Sequence, residues 1–291
     1  MLDVYVAHFG LTERPFSLVP DPAFLFWSTH HRRAFAMLDY GILTRAPVTL
    51  ITGEVGAGKT TLLHELLSQL PPSMRVALVT NSHGDRGELL RWVLLALDQS
   101  APSQTGYVEL FRQFQDFLIA EYAAGRNVVL IFDEAQNLSR EALEELRMFT
   151  NINSNKDVLL QIVLVGQPEL RDTIRRPDMA QLAQRVASSF HIPALAPDGV
   201  REYVHHRLAV AGATSLIFTS DALDIIARAT RGIPRLINQL CDFSMVYAFS
   251  KDERHVSSRT VNEVLADGVF FAGGHVEAPP EPEIAVPAGE R

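Results

Sequence analysis

One stretch decides the fold of this 291-residue chain: Gly53-Glu54-Val55-Gly56-Ala57-Gly58-Lys59-Thr60. It follows the apolar run Val48–Thr52, which predicts a buried strand, and it opens a helical pattern over Thr60–Leu70. Glycines at this spacing let backbone N–H groups converge on phosphate oxygens at a helix N-terminus, whose dipole favours anions. Lys59 is expected to reach the β- and γ-phosphates, and the hydroxyl of Thr60 is expected to hold Mg²⁺. The pattern therefore predicts a P-loop that binds ATP.

Two carboxylates follow another hydrophobic strand. Val128–Phe132 is nearly all apolar, as expected for a strand covered on both faces, and Asp133 and Glu134 come directly after it. With a P-loop upstream, Asp133 suits the Mg²⁺ shell as the acidic partner of Thr60. Glu134 is placed to orient or deprotonate an attacking water. The two acids therefore turn the prediction of a nucleotide site into the prediction of an ATPase.

The pattern of apolar segments predicts the fold class. Strands alternate with helices over the first two thirds of the chain, which indicates an α/β fold with a parallel sheet and helices on both faces. Strands are expected at Val48–Thr52, Val76–Thr80, Val128–Phe132, Leu159–Val165 and Ser189–Ile192. Helices are expected at His30–Leu43, Thr60–Leu70, Gly87–Leu97, Tyr107–Ala124 and Glu141–Phe149, the last of them capped by Ser139.

The two ends of the chain differ from this α/β pattern. Beyond Pro197 only helical patterns follow, at Asp198–Val210, Ser220–Ala229, Pro234–Ser250 and Ser257–Ala266. We therefore expect four parts: an N-terminal segment (1–30), an α/β ATPase core (31–196), a small all-helical lid (197–270) and a tail (271–291). The first part is rich in aromatic residues and prolines, so it is expected to be irregular and to pack on the nucleotide site. The tail is rich in Pro and Glu and is expected to be disordered.

Composition and charge narrow the class of protein. The formal net charge is −8, which argues against constant, nonspecific binding of nucleic acid. The single cysteine, Cys241, allows neither an intrachain disulfide nor a zinc site built from cysteines. No apolar run is long enough to span a bilayer, and the first residues lack the features of a signal peptide. The expected location is the cytoplasm.

Two polar residues at element ends are candidates for the site. Gln167 ends the strand Leu159–Val165, where its amide can position water or sense a γ-phosphate; the alternative is a turn residue before Pro168. Arg235 follows Pro234 at the start of a helix and is expected to point toward the cleft between the core and the lid; the alternative is an arginine that faces solvent.

A third candidate acts between subunits. Arg185 precedes the fifth strand, and its guanidinium could reach the nucleotide of a neighbouring subunit as an arginine finger. The alternative is a surface arginine, and the rival candidates for the finger are Arg171, Arg175 and Arg176. A finger needs a neighbour, so this candidate carries the expectation of a homo-oligomer.

Together these motifs resemble an AAA+ ATPase. The resemblance rests on the P-loop, on Asp133-Glu134-Ala135-Gln136, on Gln167 and on Gly232-Ile233-Pro234-Arg235. A narrower resemblance, over about residues 1–270, is to the ExeA/GspA-like ATPases of the general secretion pathway. This group includes the soluble ATPases that accompany exosortase (XrtA, PEP-CTERM) and exopolysaccharide loci. The stretches that carry it are Phe9-Gly10-Leu11, Pro15-Phe16-Ser17, Pro20-Asp21-Pro22 and Val163-Leu164-Val165-Gly166-Gln167-Pro168-Glu169-Leu170.

The resemblance implies a sheet of five strands in the order 5-1-4-3-2, followed by a helical lid. Gln167 would take the sensor 1 place and Arg235 the sensor 2 place, with Asp133 and Glu134 as the Walker B pair. Adenine would lie between the N-terminal segment and the lid, with Phe16 or Tyr40–Ile42 as candidate contacts. The residues implied to bind ATP are Gly53, Glu54, Val55, Gly56, Ala57, Gly58, Lys59, Thr60, Thr61 and Arg235, and those implied to hold Mg²⁺ are Thr60 and Asp133.

GspA-type proteins usually continue into a transmembrane helix and a periplasmic peptidoglycan-binding domain, whereas this chain ends in its Pro/Glu tail. That difference favours the shorter, soluble relatives. The expected function is a Mg²⁺-dependent ATPase that acts as a motor or switch in bacterial secretion, exosortase-linked protein sorting or exopolysaccharide export. Expected partners are further copies of the chain, in a ring or a transient assembly, and proteins of that machinery at the inner membrane. The alternative is a DNA-transaction ATPase similar to the TniB/MuB transposition helpers, with DNA as partner.

Overall fold

A parallel sheet of five strands forms the centre of the structure, a computed structural model that describes residues 5–80, 88–154 and 157–271. Its strands are β1 (Val48–Gly53), β2 (Met74–Val79), β3 (Asn127–Phe132), β4 (Leu160–Gly166) and β5 (Val186–Ile192). They lie in the order 5-1-4-3-2 implied by the AAA+ resemblance. If the two-residue strands Asn153–Ser154 and Asp157–Val158 are also numbered, the same order, from the same edge, is 7-1-6-3-2. Neighbouring strands of the sheet all run parallel. The predicted fold class is confirmed.

The two faces of the sheet carry separate hydrophobic cores, because successive side chains of a strand point to opposite faces. Leu50 of β1 belongs to one core and its neighbour Ile51 to the other. β1 and β4 are buried along their whole length, as expected for central strands covered on both sides. β2 lies at the edge of the sheet, and only Ala77 and Val79 are fully buried there.

Helices cover both faces. One core is completed by α1 (Thr29–Leu43) and α2 (Lys59–Gln69), through apolar residues such as Leu38 and Leu62. The other is completed by residues such as Leu90, Phe114 and Leu143. The helices of that second face are α3 (Glu88–Ala96), α4 (Tyr107–Ala123), α5 (Arg140–Phe149), α6 (Pro168–Ile174) and α7 (Ala180–Ala183), with short 3₁₀ turns at Ala135–Asn137 and Pro177–Met179.

Most predicted elements agree with the structure to within two residues, and β5 differs most. It begins at Val186, three residues before the predicted strand, and its register against β1 shifts between Val48 and Thr49. The stretch Val186–Ser189 mixes small and polar residues, so the sequence there carries little strand signal. The predicted start of the third helix, Gly87, lies outside the described residues. Within the described residues, α3 begins at Glu88.

A helical unit follows the sheet, as predicted after Pro197. Its core joins Val204, Ile226, Leu240 and Val261, among others. The helices are α8 (Pro197–Val210), α9 (Ser220–Thr230), α10 (Pro234–Ser250) and α11 (Ser258–Ala266). The expected disordered tail lies outside the described residues apart from Phe271. In the described part of the chain, no helix is both long and apolar enough to cross a membrane.

The N-terminal segment packs mainly on the helical unit. Tyr5, Phe9 and Phe16 are buried in the core of that unit. Tyr5 and Arg14 both hydrogen-bond to Asp242 on α10. The segment then forms a 3₁₀ turn at Pro22–Phe24 and enters α1. Its first part therefore packs on the helical unit, and its second part lines a cleft beside the loop that follows β1.

Candidate nucleotide-binding site

The P-loop passes from β1 into α2 through a left-handed glycine. Gly58 caps α2 with a φ of 90°, a conformation that glycine adopts without steric cost. No side chain caps α2, and in the described part of the chain the backbone N–H groups of Lys59, Thr60 and Thr61 bond to no carbonyl. Free N–H groups at a helix N-terminus form a site for an anion. The loop therefore offers the donors that phosphate oxygens need.

Lys59 is folded back onto the P-loop. Its Nζ donates to the carbonyl oxygen of Gly53 at 2.8 Å and to that of Glu54 at 3.0 Å. Burial lowers the pKa of Lys59, while the nearby carboxylates of Glu134 and Asp133 raise it. An ammonium has three N–H donors, so one donor is left for a phosphate. Gly53 and Glu54 thus position Lys59 through their carbonyl oxygens, and neither residue lines the cleft.

Thr60 and Asp133 meet beneath the phosphate position. The Thr60 hydroxyl donates to Asp133 Oδ2 at 2.9 Å, and the other carboxylate oxygen accepts the Glu134 N–H at 3.0 Å. Mg²⁺ prefers oxygen ligands and is usually held by one or two protein groups together with water and substrate phosphates. In the described part of the chain, no group of three or more His, Cys, Asp or Glu side chains could hold a metal. The Thr60 hydroxyl and the Asp133 carboxylate are two oxygen ligands, so the pair fits a Mg²⁺ ion that arrives with a nucleotide.

Glu134 is held by two amides. Gln136 donates from Nε2 to Glu134 Oε2 at 2.6 Å, and Gln167 donates from Nε2 to the same oxygen at 3.3 Å. Gln136 also accepts the backbone N–H of Gln167 at 2.9 Å through its Oε1. Gln136 therefore links the acidic end of β3 to the polar end of β4. Of these three residues only Glu134 lines the cleft, so Gln167 reaches the site through it.

The helical unit stands directly on the P-loop. Arg235, in the first turn of α10, donates its backbone N–H to the carbonyl oxygen of Gly56 at 3.2 Å. A Cβ added to Gly56 would lie 2.4 Å from the Cβ of Arg235, so this contact requires glycine. Arg235 lines the cleft, where the sensor 2 assignment predicts it. Together the P-loop, the ends of β3 and β4 and Arg235 are called the phosphate wall below.

Another wall of the cleft is aromatic. It is lined by Phe24 and Phe26 of the N-terminal segment and by Tyr203 of α8, and is called the base wall below. Phe26 packs edge-on against Tyr203, with ring centroids 5.7 Å apart. A flat, largely apolar base suits such a surface because aromatic rings offer wide contact areas. The base wall lies between the N-terminal segment and the lid, where adenine was expected.

The suggested adenine contacts lie elsewhere, which corrects that expectation. Phe16 is buried in the helical unit, where its ring packs edge-on against Phe218. Tyr40 is 56% exposed on α1, and Ile42 is buried in the core beneath that helix. None of these residues lines the cleft. A turn rich in aromatics and prolines gave no indication of which ring faces the ligand.

A buried arginine stabilises the base wall. Arg207 donates from Nε to the carbonyl oxygen of Pro15 at 2.5 Å and from Nη1 to the Tyr203 hydroxyl at 3.1 Å. Tyr203 in turn donates to Asn238 Oδ1 at 2.8 Å. The guanidinium also lies 4.7 Å from the centre of the Phe24 ring, within the range of a cation–π contact. Arg207 thus links α8 to the N-terminal segment at Pro15 and at Phe24.

Arg185 lies far from the P-loop of its own chain. β5 runs parallel to β1 with Val186 opposite Val48 and Ile192 opposite Gly53, so Arg185 and the P-loop are at opposite ends of the sheet. Arg185 hydrogen-bonds to Asn151 and does not line the cleft. A contact with the chain's own nucleotide is excluded by this distance. Its role toward a neighbouring subunit stays a prediction, as do those of Arg171, Arg175 and Arg176.

Several residues near the cleft are absent from the sequence-based candidates, among them His31, Gln136 and Arg207. His31 is 5% exposed and contacts the P-loop. The signal for Gln136 was its place two residues after Glu134, where the chain turns back toward the next strand. Arg207 gave no local signal, because its partners Pro15 and Phe24 are distant in sequence. Of the predicted nucleotide-binding residues, the cleft is lined by Val55, Gly56, Gly58, Lys59, Thr60, Thr61 and Arg235.

Comparison with known proteins finds similar sequences. A family model described as an AAA domain matches residues 43–174. General secretion pathway protein A of Aeromonas hydrophila is 40% identical over 253 residues, which cover 87% of this chain and 46% of that protein. The DNA transposition protein B of the Mu-like prophage FluMu of Haemophilus influenzae is 28% identical over 180 residues, which cover 60% of this chain and 58% of that protein. The chain thus spans about half the length of these curated relatives.

A solved structure extends the likeness to the fold. The ORC2 protein of Aeropyrum pernix, in its ADPNP–ADP complexes, aligns with a TM-score of 0.60 at 17% identity, over 82% of this chain and 67% of that one. At this identity the alignment shows a shared fold. The chain therefore has the P-loop AAA-type α/β fold, matches the model of an AAA domain over residues 43–174, and is similar over most of its length to general secretion pathway protein A.

Proposed function

We propose that the chain binds ATP together with Mg²⁺ and hydrolyses it, as a switch or motor in bacterial secretion. The observation that carries this proposal is the hydrogen bond of 2.9 Å between Thr60 and Asp133, directly below a helix N-terminus with free N–H donors. A metal-binding hydroxyl and a carboxylate meet there beside a phosphate site. Neither a purely structural loop nor a binder of simple anions needs that combination.

Each wall residue has a role in the proposed reaction. The P-loop amides and Lys59 bind the phosphates, and Thr60 with Asp133 would hold Mg²⁺, which supplies positive charge to the transferring phosphoryl group when bound. Glu134 orients the attacking water and takes its proton. Gln167 contacts Glu134 and is proposed to report the state of the γ-phosphate. Arg235 is proposed to contact the nucleotide from the lid, so that the phosphates and the helical unit are joined.

Similarity to general secretion pathway protein A supports a role in secretion. Within that role we propose service to exosortase-linked sorting or exopolysaccharide export, because the resemblance carried by the N-terminal stretches and by Val163–Leu170 includes the ATPases of those loci. The proposed partners are further copies of the chain and proteins of the export machinery at the inner membrane, with the chain on the cytoplasmic side. Arg185, which lies away from its own cleft, supports the homo-oligomer.

The test is ATP hydrolysis by the purified chain with and without Mg²⁺. We expect turnover that depends on the metal and is lost in Lys59→Ala, together with ATP binding. The matched control is Lys251→Ala, which removes a lysine paired with Glu263 on the helical unit. Hydrolysis that persists in Lys59→Ala, or that needs no divalent cation, would contradict the proposal.

A second candidate is a DNA-transaction ATPase. The observation in its favour is the 28% identity to the DNA transposition protein B of the Mu-like prophage, which covers 60% of the chain. The net charge of −8 disfavours it, because DNA affinity comes largely from phosphate contacts. Binding to duplex DNA measured across salt concentrations separates the two candidates. Tight, steeply salt-dependent binding that stimulates hydrolysis would favour this second function over secretion.

A further inference from the structure

A buried histidine stands against the P-loop and belongs to none of the groups assigned to the nucleotide. His31 lies in the first turn of α1, is 5% exposed and lines the cleft. Its Nε2 lies 3.0 Å from the carbonyl oxygen of Ala57, and its Nδ1 lies 2.8 Å from Ser28 Oγ. A carbonyl oxygen only accepts, so Nε2 must carry the proton. The Ser28 hydroxyl then donates to Nδ1, and both ring nitrogens are satisfied.

The neutral ring fits this position. Burial lowers the pKa of His31, and the hydrogen bond to Ala57 offsets this only in part. Ser28 also accepts the backbone N–H of His31 at 3.2 Å, as the N-cap of α1. The ring is therefore fixed by its own helix on one side and touches the loop on the other.

The carbonyl that His31 binds controls the amide that follows it. In a trans peptide the C=O group and the next N–H group point in opposite directions. Fixing the Ala57 oxygen toward His31 therefore turns the Gly58 N–H away from α1. In a regular helix this oxygen would accept from the Thr61 N–H, and the described residues show no such bond. His31 replaces a helical hydrogen bond at the point where the loop becomes a helix.

The ring also fills the space beside the loop. A Cβ added to Gly58 would lie 3.1 Å from His31 Nε2, closer than ordinary van der Waals contact. The left-handed conformation of Gly58 at φ 90° is one that other residues rarely adopt. A rotation of the Ala57–Gly58 peptide would break the hydrogen bond to Nε2. The contact thus favours a single orientation of the peptide.

We propose that His31 is a positioning residue that orients the Gly58 amide toward the phosphates of a nucleoside di- or triphosphate, an assignment that rests on the proposed nucleotide binding. The N-terminal segment ends in the Ser28 cap, so through His31 it sets the shape of the phosphate site. The ligand class follows from the position, because amides of the P-loop bind the phosphates nearest the sugar that ADP and ATP share.

The experiment compares two substitutions that differ in where they place an N–H donor. In His31→Gln the amide nitrogen lies as many bonds from Cβ as the histidine Nε2, so it can donate to Ala57. In His31→Asn it lies as many bonds from Cβ as Nδ1, so it reaches only toward Ser28. His31→Phe keeps the ring and removes both nitrogens. The same substitutions at His30, which is exposed on the same helix, are the matched controls.

Dissociation constants for ADP and ATP are measured by titration, with kcat and KM for ATP. His31→Asn and His31→Phe should weaken both nucleotides about tenfold, since they leave a buried carbonyl without its donor. The kcat at saturation should change by less than about twofold, because the contact is made equally in the ground and transition states. His31→Gln should bind within about threefold of the unchanged chain. The His30 variants should bind as the unchanged chain does.

Two further measurements cover variants that fail to fold. Circular dichroism identifies such variants. If they do not fold, the proposal is tested on the unchanged chain, where a long-range ¹H–¹⁵N spectrum shows which ring nitrogen of each histidine carries the proton. His31 should show a proton on Nε2 and none on Nδ1 at neutral pH. The opposite tautomer would overturn the assignment, as would equal weakening in His31→Gln and His31→Asn or full binding by His31→Phe. If the unchanged chain binds neither ADP nor ATP, the proposed function fails instead, and the role of His31 with it.

Discussion

The phosphate wall and the base wall of the cleft are built from different kinds of sequence. Apart from Arg235, the phosphate wall comes from short stretches at the carboxyl ends of adjacent strands, so the sheet itself brings them together. The base wall joins Phe24 and Phe26 of the N-terminal segment to Tyr203 of α8, which is far away in the chain, so the wall forms only when the helical unit folds. One wall therefore depends on local backbone geometry, and the other on tertiary packing. Variants that separate the two walls test this difference.

The largest effect is expected within the phosphate wall. Glu134→Gln keeps the size and the hydrogen bonding of the side chain but removes the base, so hydrolysis should fall by about 10²- to 10⁴-fold while ATP stays bound. The measurement is single-turnover hydrolysis together with ATP affinity. Glu141→Gln, at an exposed position of α5, is the control. Unchanged turnover in Glu134→Gln would show that another group activates the water.

The next effect separates the two walls. Arg207→Met removes the donors to Pro15 and Tyr203, so it should lower the free energy of unfolding by about 1–3 kcal/mol and weaken ATP binding about tenfold. Binding of inorganic tripolyphosphate, which touches only the phosphate wall, should be unchanged. Urea unfolding and competition titrations give these values, with Arg259→Met at an exposed site as control. Equal losses for ATP and tripolyphosphate would mean that the walls are not independent.

A smaller effect is expected where the phosphate wall depends on a bridging amide. Gln136→Ala removes one of the two donors to Glu134 and the acceptor of the Gln167 N–H. We expect kcat to fall about five- to twentyfold with KM nearly constant, because the loss concerns the orientation of the base. Gln184→Ala, exposed after α7, is the control. A rise in KM at constant kcat would contradict this role.

The smallest effect concerns pH. Burial lowers the pKa of His31 below its ordinary value of 6.5, so the unfolded chain takes up a proton near that pH and the folded chain does not. The free energy of unfolding should therefore be fully retained above about pH 7 and fall as the pH is lowered toward the pKa of the folded state. His31→Gln lacks this group and should show a smaller slope, although His191 and His206, also lowered by burial, act in both proteins. Equal slopes would contradict the buried, neutral ring.

The same contrast explains what the sequence could predict. The strand, glycine loop and helix around Lys59, and the acids after β3, are local patterns whose geometry follows from the backbone, and the structure places them together. The alternation of strands and helices was enough for the fold class. The start of β5 was missed because its residues are small and polar and have a low propensity for strands. They form a strand because they pair with β1.

The residues missed by sequence reasoning depend on contacts between distant segments. His31 looks like one histidine among two at the start of a helix, and only the fold brings it to Ala57. Arg207 looks like an ordinary charged residue near the end of a helix, although it is 7% exposed. Phe16 and Tyr40 were as plausible as Phe24 and Phe26 for the base, since an aromatic residue in the sequence does not reveal which neighbour covers it.

The backbone hydrogen bond between Arg235 and Gly56 has a thermodynamic consequence. It ties the first turn of α10 to the loop that is proposed to bind phosphates, so a shift of the helical unit also shifts the loop. If ATP favours one position of the helical unit, any protein that binds that unit in the same position must raise the affinity for ATP. ATP must then raise the affinity for that protein by the same factor. The binding of the nucleotide and the binding of a partner would then both depend on the same equilibrium between positions of the helical unit.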